Sequence, residues 1–289
     1  MPLPICYLNG EYLPLGEARV SPLDRAFLFG DAVYEVVAVY AGRPFRLREH
    51  LDRLARSLAG IRMDPPLTHA EWDRLLRALI GRNGGGDQYV YFQVTRGAEL
   101  GRNHAWPAGL KPTVFAFANA LEPASPALLE QGVAAITAQD IRWARRDIKS
   151  TALLANALLK KLAVDAGAYE TILLERGELT EGSSTTVHVI TGGEIRTPPN
   201  GHHILPGTTR DVVTELAARS GIPSARRRVT DVELRHADEI WLAFSTRGVL
   251  PVTRLDDKPV GSGRPGPLFE RMHASFVSYV REIAGAPAL

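Results

Sequence analysis

Two prolines, Pro123 and Pro126, lie in the short stretch 120–126 and separate two parts of the sequence that have different patterns. Proline fixes its own backbone angle and lacks an N–H donor, so it is poorly suited to a helix interior or a central strand. Beyond this stretch, strands begin to alternate with helices. We therefore expect a smaller α+β domain over residues 1–120, a linker over 121–125 and a larger domain over 126–289.

The first part predicts a hairpin, a buried strand and two amphipathic helices. Asn9-Gly10 separates two short strand-like runs and is a typical hairpin turn. The β-branched run over 35–40 indicates a buried strand. Apolar residues recur on one helical face of 48–61. A second helix follows, for which Thr68 is a plausible N-cap and Glu71 completes a capping box.

The second part predicts strands and helices in alternation. Residues 151–166 have a helix-like pattern, and 170–174 indicate a strand. A glycine-bearing loop opens a helix over 211–221, and 238–244 indicate a buried strand. The chain closes with an amphipathic helix over 269–283.

Composition excludes several classes of protein. Of the 289 residues, 45% are hydrophobic and 23% charged, which is typical of a globular protein. The formal net charge of +2 is too balanced to indicate nucleic acid or an anionic membrane as a partner. The lone Cys6 cannot form an intramolecular disulfide, and no Cys/His spacing indicates a metal site. No signal peptide or membrane-spanning run is evident, so we expect a cytoplasmic protein that acts on small molecules.

Lys149 is the residue on which the functional prediction depends. It stands in a polar segment just before a helix-like run. A lysine amine can form a Schiff base with a carbonyl compound when its surroundings activate it. Taken alone, however, a lysine is most simply a solvated surface charge.

A phosphate site is the first supporting signal. Thr208 and Thr209 follow a glycine at a predicted helix N-terminus, where free N–H groups favour an anion. Ser245 and Thr246 end a strand and can supply further hydroxyl donors, and Arg53 can supply charge-assisted hydrogen bonds. Ordinary helix capping and a surface charge are the simpler explanations for each residue alone.

A carboxylate-binding group is the second signal. Tyr34, Arg102 and His104 offer a phenol, a guanidinium fork and an imidazole, which together can hold a substrate carboxylate. The alternative is a solvated loop arginine beside a surface histidine.

These stretches resemble the class IV aminotransferases, the fold-type IV family that depends on pyridoxal phosphate. Five runs in the same order carry the resemblance: Phe29–Glu35, His50–Leu54, Asp147–Ser150, Glu181–Ser184 and Leu205–Arg210. The resemblance extends over nearly the whole chain. It implies an α/β fold of two α+β domains with the cofactor in the cleft between them. It also implies a homodimer in which a loop of the partner often borders the pocket.

The resemblance assigns a role to each matching residue. Lys149 corresponds to the Schiff-base lysine, which also moves the substrate proton. Glu181 corresponds to the carboxylate that pairs with the pyridinium nitrogen. Leu205 corresponds to an apolar support for one face of the ring. The phosphate cup corresponds to Arg53, Thr208, Thr209 and Ser245, with Thr246 close by.

Within the family, the sequence is most similar to the D-amino-acid transaminase subgroup. Arg102 and His104, with Tyr34, match the carboxylate trap of that subgroup, although the loop before Arg102 is one residue longer. The resemblance implies D-alanine and D-glutamate as donors, with 2-oxoglutarate or pyruvate as acceptor. Branched-chain L-amino-acid aminotransferase, 4-amino-4-deoxychorismate lyase and (R)-amine transaminase stay as alternatives, as does a non-catalytic binding protein.

Three positions depart from the subgroup. Thr186 and His188 stand where asparagine and phenylalanine are usual, and Arg247 lies beside the predicted phosphate hydroxyls where a small residue is typical. Arg247 either binds a side-chain carboxylate of the substrate or points to solvent.

Overall fold

The computed structural model describes residues 1–285. Its helices are α1 Arg25–Phe29, α2 Leu47–Gly60, α3 His69–Arg82, α4 Pro126–Gln131, α5 Leu154–Asp165, α6 Thr208–Arg219, α7 Asp231–Arg235 and α8 Pro267–Ala284. Its strands are β1 Pro2–Leu8, β2 Glu11–Pro14, β3 Ala32–Tyr40, β4 Arg43–Pro44, β5 Gln88–Thr95, β6 Thr113–Ala120, β7 Val133–Gln139, β8 Glu170–Glu175, β9 Glu178–Gly182, β10 Thr186–Thr191, β11 Glu194–Thr197, β12 Ser224–Arg226, β13 Glu239–Phe244, β14 Gly248–Leu255 and β15 Lys258–Pro259.

The chain forms two compact units. Unit 1 contains Met1–Glu122, Ile148–Leu153 and a short segment that begins at Glu282. Unit 2 contains Pro123–Asp147 and Leu154–Arg281. The predicted division at 121–125 places Ile148–Leu153 with the later residues, whereas its contacts group it with unit 1.

Unit 1 is built on an antiparallel sheet with the strand order β2-β1-β6-β5-β3-β4. Successive residues of a strand face opposite sides of a sheet. On one side, Val33, Val37 and Val39 of β3 pack with Phe92 of β5 against the apolar faces of α2 and α3. Helices α2 and α3 therefore cover this side of the sheet.

Two local signals in unit 1 are confirmed. Asn9 and Gly10 connect β1 to β2 as a hairpin, as predicted. Thr68 caps α3 by accepting a hydrogen bond from the Glu71 N–H, while the Glu71 carboxylate accepts one from the Thr68 N–H. This is the predicted capping box, and it satisfies backbone donors that have no partner inside the helix.

Unit 2 is built on a mixed sheet with the order β12-β11-β10-β13-β14-β7-β8-β9, and β15 pairs with β14. Strands β7 and β8 are parallel and are connected through α5, whereas β13 and β14 form an antiparallel hairpin. The core of unit 2 contains Val187, Ile240, Leu242 and Leu250, which are fully buried. The mixture of helices and sheets confirms the predicted fold class.

Two predicted helix starts are wrong. The helix predicted from residue 151 begins at Leu154, because the preceding residues lie extended beside β3. Ser150 forms an isolated antiparallel β-bridge with Val33. The Thr151 N–H donates to the Ala32 carbonyl at 3.0 Å. Helix α6 begins at Thr208, three residues before the predicted start. No helix within residues 1–285 has both the length and the apolar character that crossing a membrane requires.

Candidate active site

Lys149 is held in an extended segment beside β3. Its carbonyl accepts a hydrogen bond from the Tyr34 N–H at 2.9 Å, and its own N–H donates to Ser57 Oγ at 3.1 Å. The Lys149 Nζ lies 4.3 Å from the centre of the Tyr34 ring, where the electron-rich face attracts an ammonium group. The structure therefore brings together two of the predicted residues, and fixes the lysine backbone from two sides.

Arg53 lies one helical turn before Ser57, on the same face of α2. Its guanidinium donates to both oxygens of Glu35, from Nε and from Nη2, at 2.7 Å each. His50 Nδ1 lies 2.7 Å from the same carboxylate. Burial raises the pKa of Glu35, but the charge and hydrogen bonds of Arg53 and His50 outweigh burial, so the pKa lies well below its usual range.

Glu35 was not among the predicted site residues. It is fully buried and faces α2 from the apolar side of β3. A charged residue inside a β-branched strand is a usable signal, since buried carboxylates require a partner. The sequence pattern did not identify Arg53 as that partner. The proposed contact between Arg53 and a phosphate group stays a prediction.

Glu181 is the penultimate residue of β9 in unit 2 and is 6% exposed. Arg142 Nη1 donates to its Oε1 at 2.5 Å, and the Leu205 N–H donates to its Oε2 at 3.2 Å. Burial raises the pKa of Glu181, and the opposing charge and hydrogen bond of Arg142 only partly offset that effect. Glu181 and Leu205, which the resemblance assigns to the ring nitrogen and to one face of the ring, are therefore neighbours.

Arg142 is a residue that the sequence did not single out. Asp140 accepts hydrogen bonds from its Nη2 at 2.7 Å and from its Nε at 3.0 Å. Thr180 Oγ1 donates to the same aspartate at 2.7 Å. The Arg142 guanidinium is thus fixed on one side and directed at Glu181 on the other. It lies in an irregular stretch where no periodicity marks a buried side chain.

A tight turn follows Glu181. The buried Glu170 carboxylate accepts hydrogen bonds from the hydroxyls of Ser183, Ser184 and Thr185. A Cβ added to Gly182 would overlap Thr185 Oγ1 and approach Glu170 Cδ at 3.2 Å. Only glycine fits here, and the packed turn fixes the backbone that carries Glu181.

The predicted phosphate hydroxyls lie on two elements next to β10. Helix α6 begins with Thr208 and Thr209, after the N-cap Gly207. A Cβ added to Gly207 would lie 2.6 Å from Thr186 Oγ1, so the helix start packs closely on β10. Thr186 pairs with β13 near its end, just before Ser245-Thr246. Thr186 thus lies between the two hydroxyl pairs, at the position where the subgroup usually has asparagine.

Arg247 lies beside Tyr169 at the start of β8. Burial raises the pKa of Tyr169, while the charge of Arg247 and its hydrogen bond to the phenol act in the opposite direction. Arg247 thus has an interaction partner within unit 2. Its predicted contact with a substrate carboxylate stays a prediction.

Arg102 and His104 are exposed on the loop between β5 and β6 and share a neighbour, Phe29. The Arg102 guanidinium carbon is 4.9 Å from the Phe29 ring centre, and the His104 ring centre is 5.4 Å from it. Tyr34, the third predicted member of the trap, stacks on Tyr91 with ring centres 5.4 Å apart. The structure therefore places Arg102 with His104, and Tyr34 with Lys149.

His188 is fully buried in β10, next to Trp241. Within residues 1–285, both of its ring nitrogens lack a hydrogen-bond partner. Burial, with a smaller effect from the charge of Arg210, lowers the pKa of His188 to about 3. The imidazole therefore occupies an apolar position as a neutral group, which agrees with the phenylalanine that is usual there in the subgroup.

The chain is similar to known proteins over most of its length. A family model described as amino-transferase class IV matches residues 32–255. The D-alanine aminotransferase of Bacillus licheniformis is 41% identical over 268 residues, which are 92% of this chain and 94% of that protein. The D-alanine aminotransferase of Staphylococcus epidermidis is 37% identical over 276 residues, which are 95% of this chain and 97% of that protein.

Solved structures of similar fold include branched-chain aminotransferases. That of Escherichia coli has a TM-score of 0.88 at 26% identity and covers 96% of this chain and 94% of its own. That of Thermoproteus uzoniensis, solved with norvaline, has a TM-score of 0.85 at 26% identity and covers 99% and 96%. Because the family model matches most of the chain and two relatives are more than 30% identical to it, the chain belongs to the class IV aminotransferases.

Proposed function

We propose that this aminotransferase is a cytoplasmic, homodimeric, pyridoxal-phosphate-dependent enzyme that transfers amino groups from D-amino acids to 2-oxo acids. One observation carries the proposal: the buried Glu181, held by Arg142, lies beside Leu205 just before the hydroxyl-bearing start of α6. The names of the two D-alanine aminotransferases of similar sequence support D-alanine as donor. The proposed acceptor for D-alanine is 2-oxoglutarate, and pyruvate is the proposed acceptor when D-glutamate is the donor.

The donor set fits pyridoxal phosphate. The first N–H groups of α6 and the hydroxyls of Thr208, Thr209, Ser245 and Thr246 are the groups that bind phosphate at a helix N-terminus. Arg53 would add a cation. Burial deprives the Glu181 carboxylate of hydrogen bonds from water. A protonated ring nitrogen would supply a hydrogen-bond donor and a positive charge in their place. When bound, the cofactor supplies an aldehyde for amino groups and a ring that accepts electrons from the substrate.

Lys149 is the residue proposed to form the covalent link and to move the substrate proton. Its backbone is fixed by Tyr34 and Ser57, so the side chain pivots from a constant point. When its side chain is free, the Lys149 amine would accept the proton from the substrate Cα and would later give that proton up, so it would serve as the base and then as the acid of the proposed reaction. Arg142 would keep the Glu181 carboxylate fixed, so that this carboxylate could hold a protonated ring nitrogen.

Substrate selection is proposed to depend on the carboxylate. The Arg102 guanidinium offers a bidentate fork, and the His104 imidazole and the Tyr34 phenol offer further donors. The exposure of Arg102 and His104 suits groups that meet a ligand from solvent. Arg247, beside Tyr169, is the proposed contact for a second carboxylate, such as that of D-glutamate.

A Lys149→Ala substitution tests the catalytic assignment. We expect loss of D-alanine/2-oxoglutarate transamination and loss of the yellow colour of the purified protein. Lys161→Ala is a matched control, because Lys161 is an exposed lysine of α5 that pairs with Asp165. Turnover by Lys149→Ala would show that another residue carries the reaction, and a wild-type protein that stays colourless with added cofactor would support a binding role.

A branched-chain L-amino-acid specificity is the second candidate, since the E. coli and T. uzoniensis proteins of similar fold are branched-chain aminotransferases by name. Parallel assays with D-alanine and with L-leucine, each with 2-oxoglutarate, separate the two. Activity with L-leucine alone would overturn the D-specific proposal. Pyruvate release from 4-amino-4-deoxychorismate would indicate the lyase, and turnover of a chiral amine would indicate the (R)-amine transaminase.

A homodimer is proposed from an exposed apolar stripe on α5. Leu154, Leu158 and Leu162 are 75%, 54% and 48% exposed and follow one another at helical spacing on one face. A contiguous apolar stripe in water is typical of a protein interface. Leu158→Arg should convert the dimer to monomers in sedimentation velocity, whereas Val232→Arg on α7 should not. A Leu158→Arg protein that stays dimeric would place the interface elsewhere.

A further inference from the structure

A buried arginine outside the proposed site organises the loop that carries Arg102 and His104. Arg25, at the start of α1, is 3% exposed. Its Nη1 donates to the Asn103 carbonyl at 2.6 Å, and its Nη2 donates to the His104 carbonyl at 3.1 Å. The first carbonyl belongs to the residue between Arg102 and His104, and the second belongs to His104 itself.

Two carboxylates fix the Arg25 guanidinium. Its Nε donates to Asp31 Oδ2 at 2.8 Å, and its Nη1 also donates to Glu99. Arg96 in turn donates to both oxygens of Asp31, at 2.7 and 3.0 Å. Burial works against the charge of Arg25, but Asp31 and Glu99 hold its pKa above the ordinary value. The guanidinium is therefore a fixed cation that cannot reorient without breaking its hydrogen bonds to Asp31 and Glu99.

The same group stacks on the ring that contacts the loop side chains. The Arg25 guanidinium carbon lies 4.6 Å from the Phe29 ring centre, and Arg102 lies 4.9 Å from that centre. The base of the loop is fixed too, because the Arg25 N–H donates to the Gly97 carbonyl at 2.9 Å. A Cβ added to Gly97 would overlap the Lys111 carbonyl oxygen on the other side of the loop.

We propose that Arg25 is a positioning residue that holds the 99–104 loop in the conformation that binds the substrate carboxylate. Exposed loops are mobile unless their backbone groups are tied down, and only arginine has enough donors in one plane to reach two carbonyls and two carboxylates. The inference rests on the proposed function, because it takes Arg102 and His104 as the carboxylate trap. Arg25 itself does not contact the reacting atoms.

Arg25→Lys is the informative substitution. Lysine keeps a positive charge beside Asp31 but lacks the planar fork, so the Asn103 and His104 carbonyls lose their donor. We expect the KM for D-alanine to rise about tenfold with kcat within about twofold, since a displaced loop weakens the charge-assisted hydrogen bond between Arg102 and the substrate carboxylate. Backbone amides of 99–104 should exchange with deuterium about tenfold faster, because local opening becomes easier. Arg77→Lys, at an exposed pair on α3, is the matched control.

A double-mutant cycle with Arg102→Ala separates positioning from a general structural defect. If Arg25 acts through the loop, Arg25→Lys adds little to the KM increase that Arg102→Ala already causes. If the KM increases of the two single variants multiply in the double variant, the inference is overturned. It is also overturned if Arg25→Lys changes neither the KM nor the exchange rate. If Arg102→Ala leaves the KM for D-alanine at its wild-type value, the carboxylate trap of the proposed function fails, and the link from Arg25 to substrate fails with it.

Discussion

The Glu35→Gln substitution tests whether a buried ion pair supports the helix that carries Arg53. Glutamine keeps the shape of the side chain and removes its charge. Glu35 is fully buried and receives two hydrogen bonds of 2.7 Å from Arg53, which is 3% exposed. Removing one charge of a buried pair costs about 3–5 kcal/mol, because the other charge loses its buried counter-ion. At about 2–4 °C per kcal/mol, the midpoint of thermal unfolding should fall by roughly 6–20 °C.

Urea denaturation of the cofactor-free protein at pH 7 is the direct measurement, with calorimetry as a second probe. Asp73→Asn is the matched control, because Asp73 pairs with Arg77 on the exposed face of α3. An exposed pair contributes at most about 1 kcal/mol, so this variant should unfold close to the wild type. A Glu35→Gln protein within about 1 kcal/mol of the wild type would refute the argument from burial.

The pH dependence of the free energy of unfolding is a second test of the Glu35–Arg53 ion pair. The pKa of Glu35 is lower in the folded protein than the value of about 4.3 for an unfolded chain. Its contribution to the free energy of unfolding is therefore complete above that value and is lost as pH falls through the folded pKa. The difference between wild type and Glu35→Gln should shrink as pH falls below about 4.3. Inorganic phosphate should stabilise the variant more than the wild type if Arg53 also binds that anion.

Two other substitutions test features of unit 2. The folded pKa of His188 is about 3, so below the unfolded value of about 6.5 the wild type should lose about 1.4 kcal/mol of stability per pH unit. His188→Phe should remove that slope in urea titrations at pH 7 and pH 5, and an unchanged slope would contradict the assignment. Gly182→Ala should lower stability by about 1–3 kcal/mol through overlap with Thr185, and should lower kcat because Glu181 is displaced. Gly16→Ala, with no atom within 4 Å of the added Cβ, should leave both stability and kcat unchanged.

Local signals in the sequence predict much of the fold. A turn dipeptide, a capping box and apolar periodicity depend on residues that are close in sequence, and each was confirmed by the hairpin of β1 and β2, by the start of α3 and by the buried face of α2. The start of α5 was predicted three residues early, because Thr151 bonds to β3 more than 100 residues upstream. Periodicity contains no information about such a partner.

The candidate site, like the fold, was predicted only where the signal lies in a short stretch of sequence. The family and its enzyme class were predicted from motifs, and the family match confirms them. The partners of the motif residues were not predicted, since a carboxylate such as Glu181 can pair with any of many arginines. Arg142 acts across 39 residues of sequence, and Arg25 acts across 78 to reach the Asn103 carbonyl. Such pairs are decided by the three-dimensional arrangement of strand ends and loops, which no short pattern specifies.

Because the chain returns to unit 1 at Ile148, cutting the chain between the two units also divides unit 1. A single cut in the 121–125 stretch would leave Lys149 on the C-terminal fragment. The strand and helix that anchor the lysine, through Tyr34 and Ser57, would remain on the N-terminal fragment. We expect neither fragment alone to hold Lys149 in place, and we expect the colour and turnover of the proposed enzyme to return only when the two fragments reassemble. Recovery of activity when the two fragments are mixed would therefore report that Lys149 has regained its contacts with Tyr34 and Ser57.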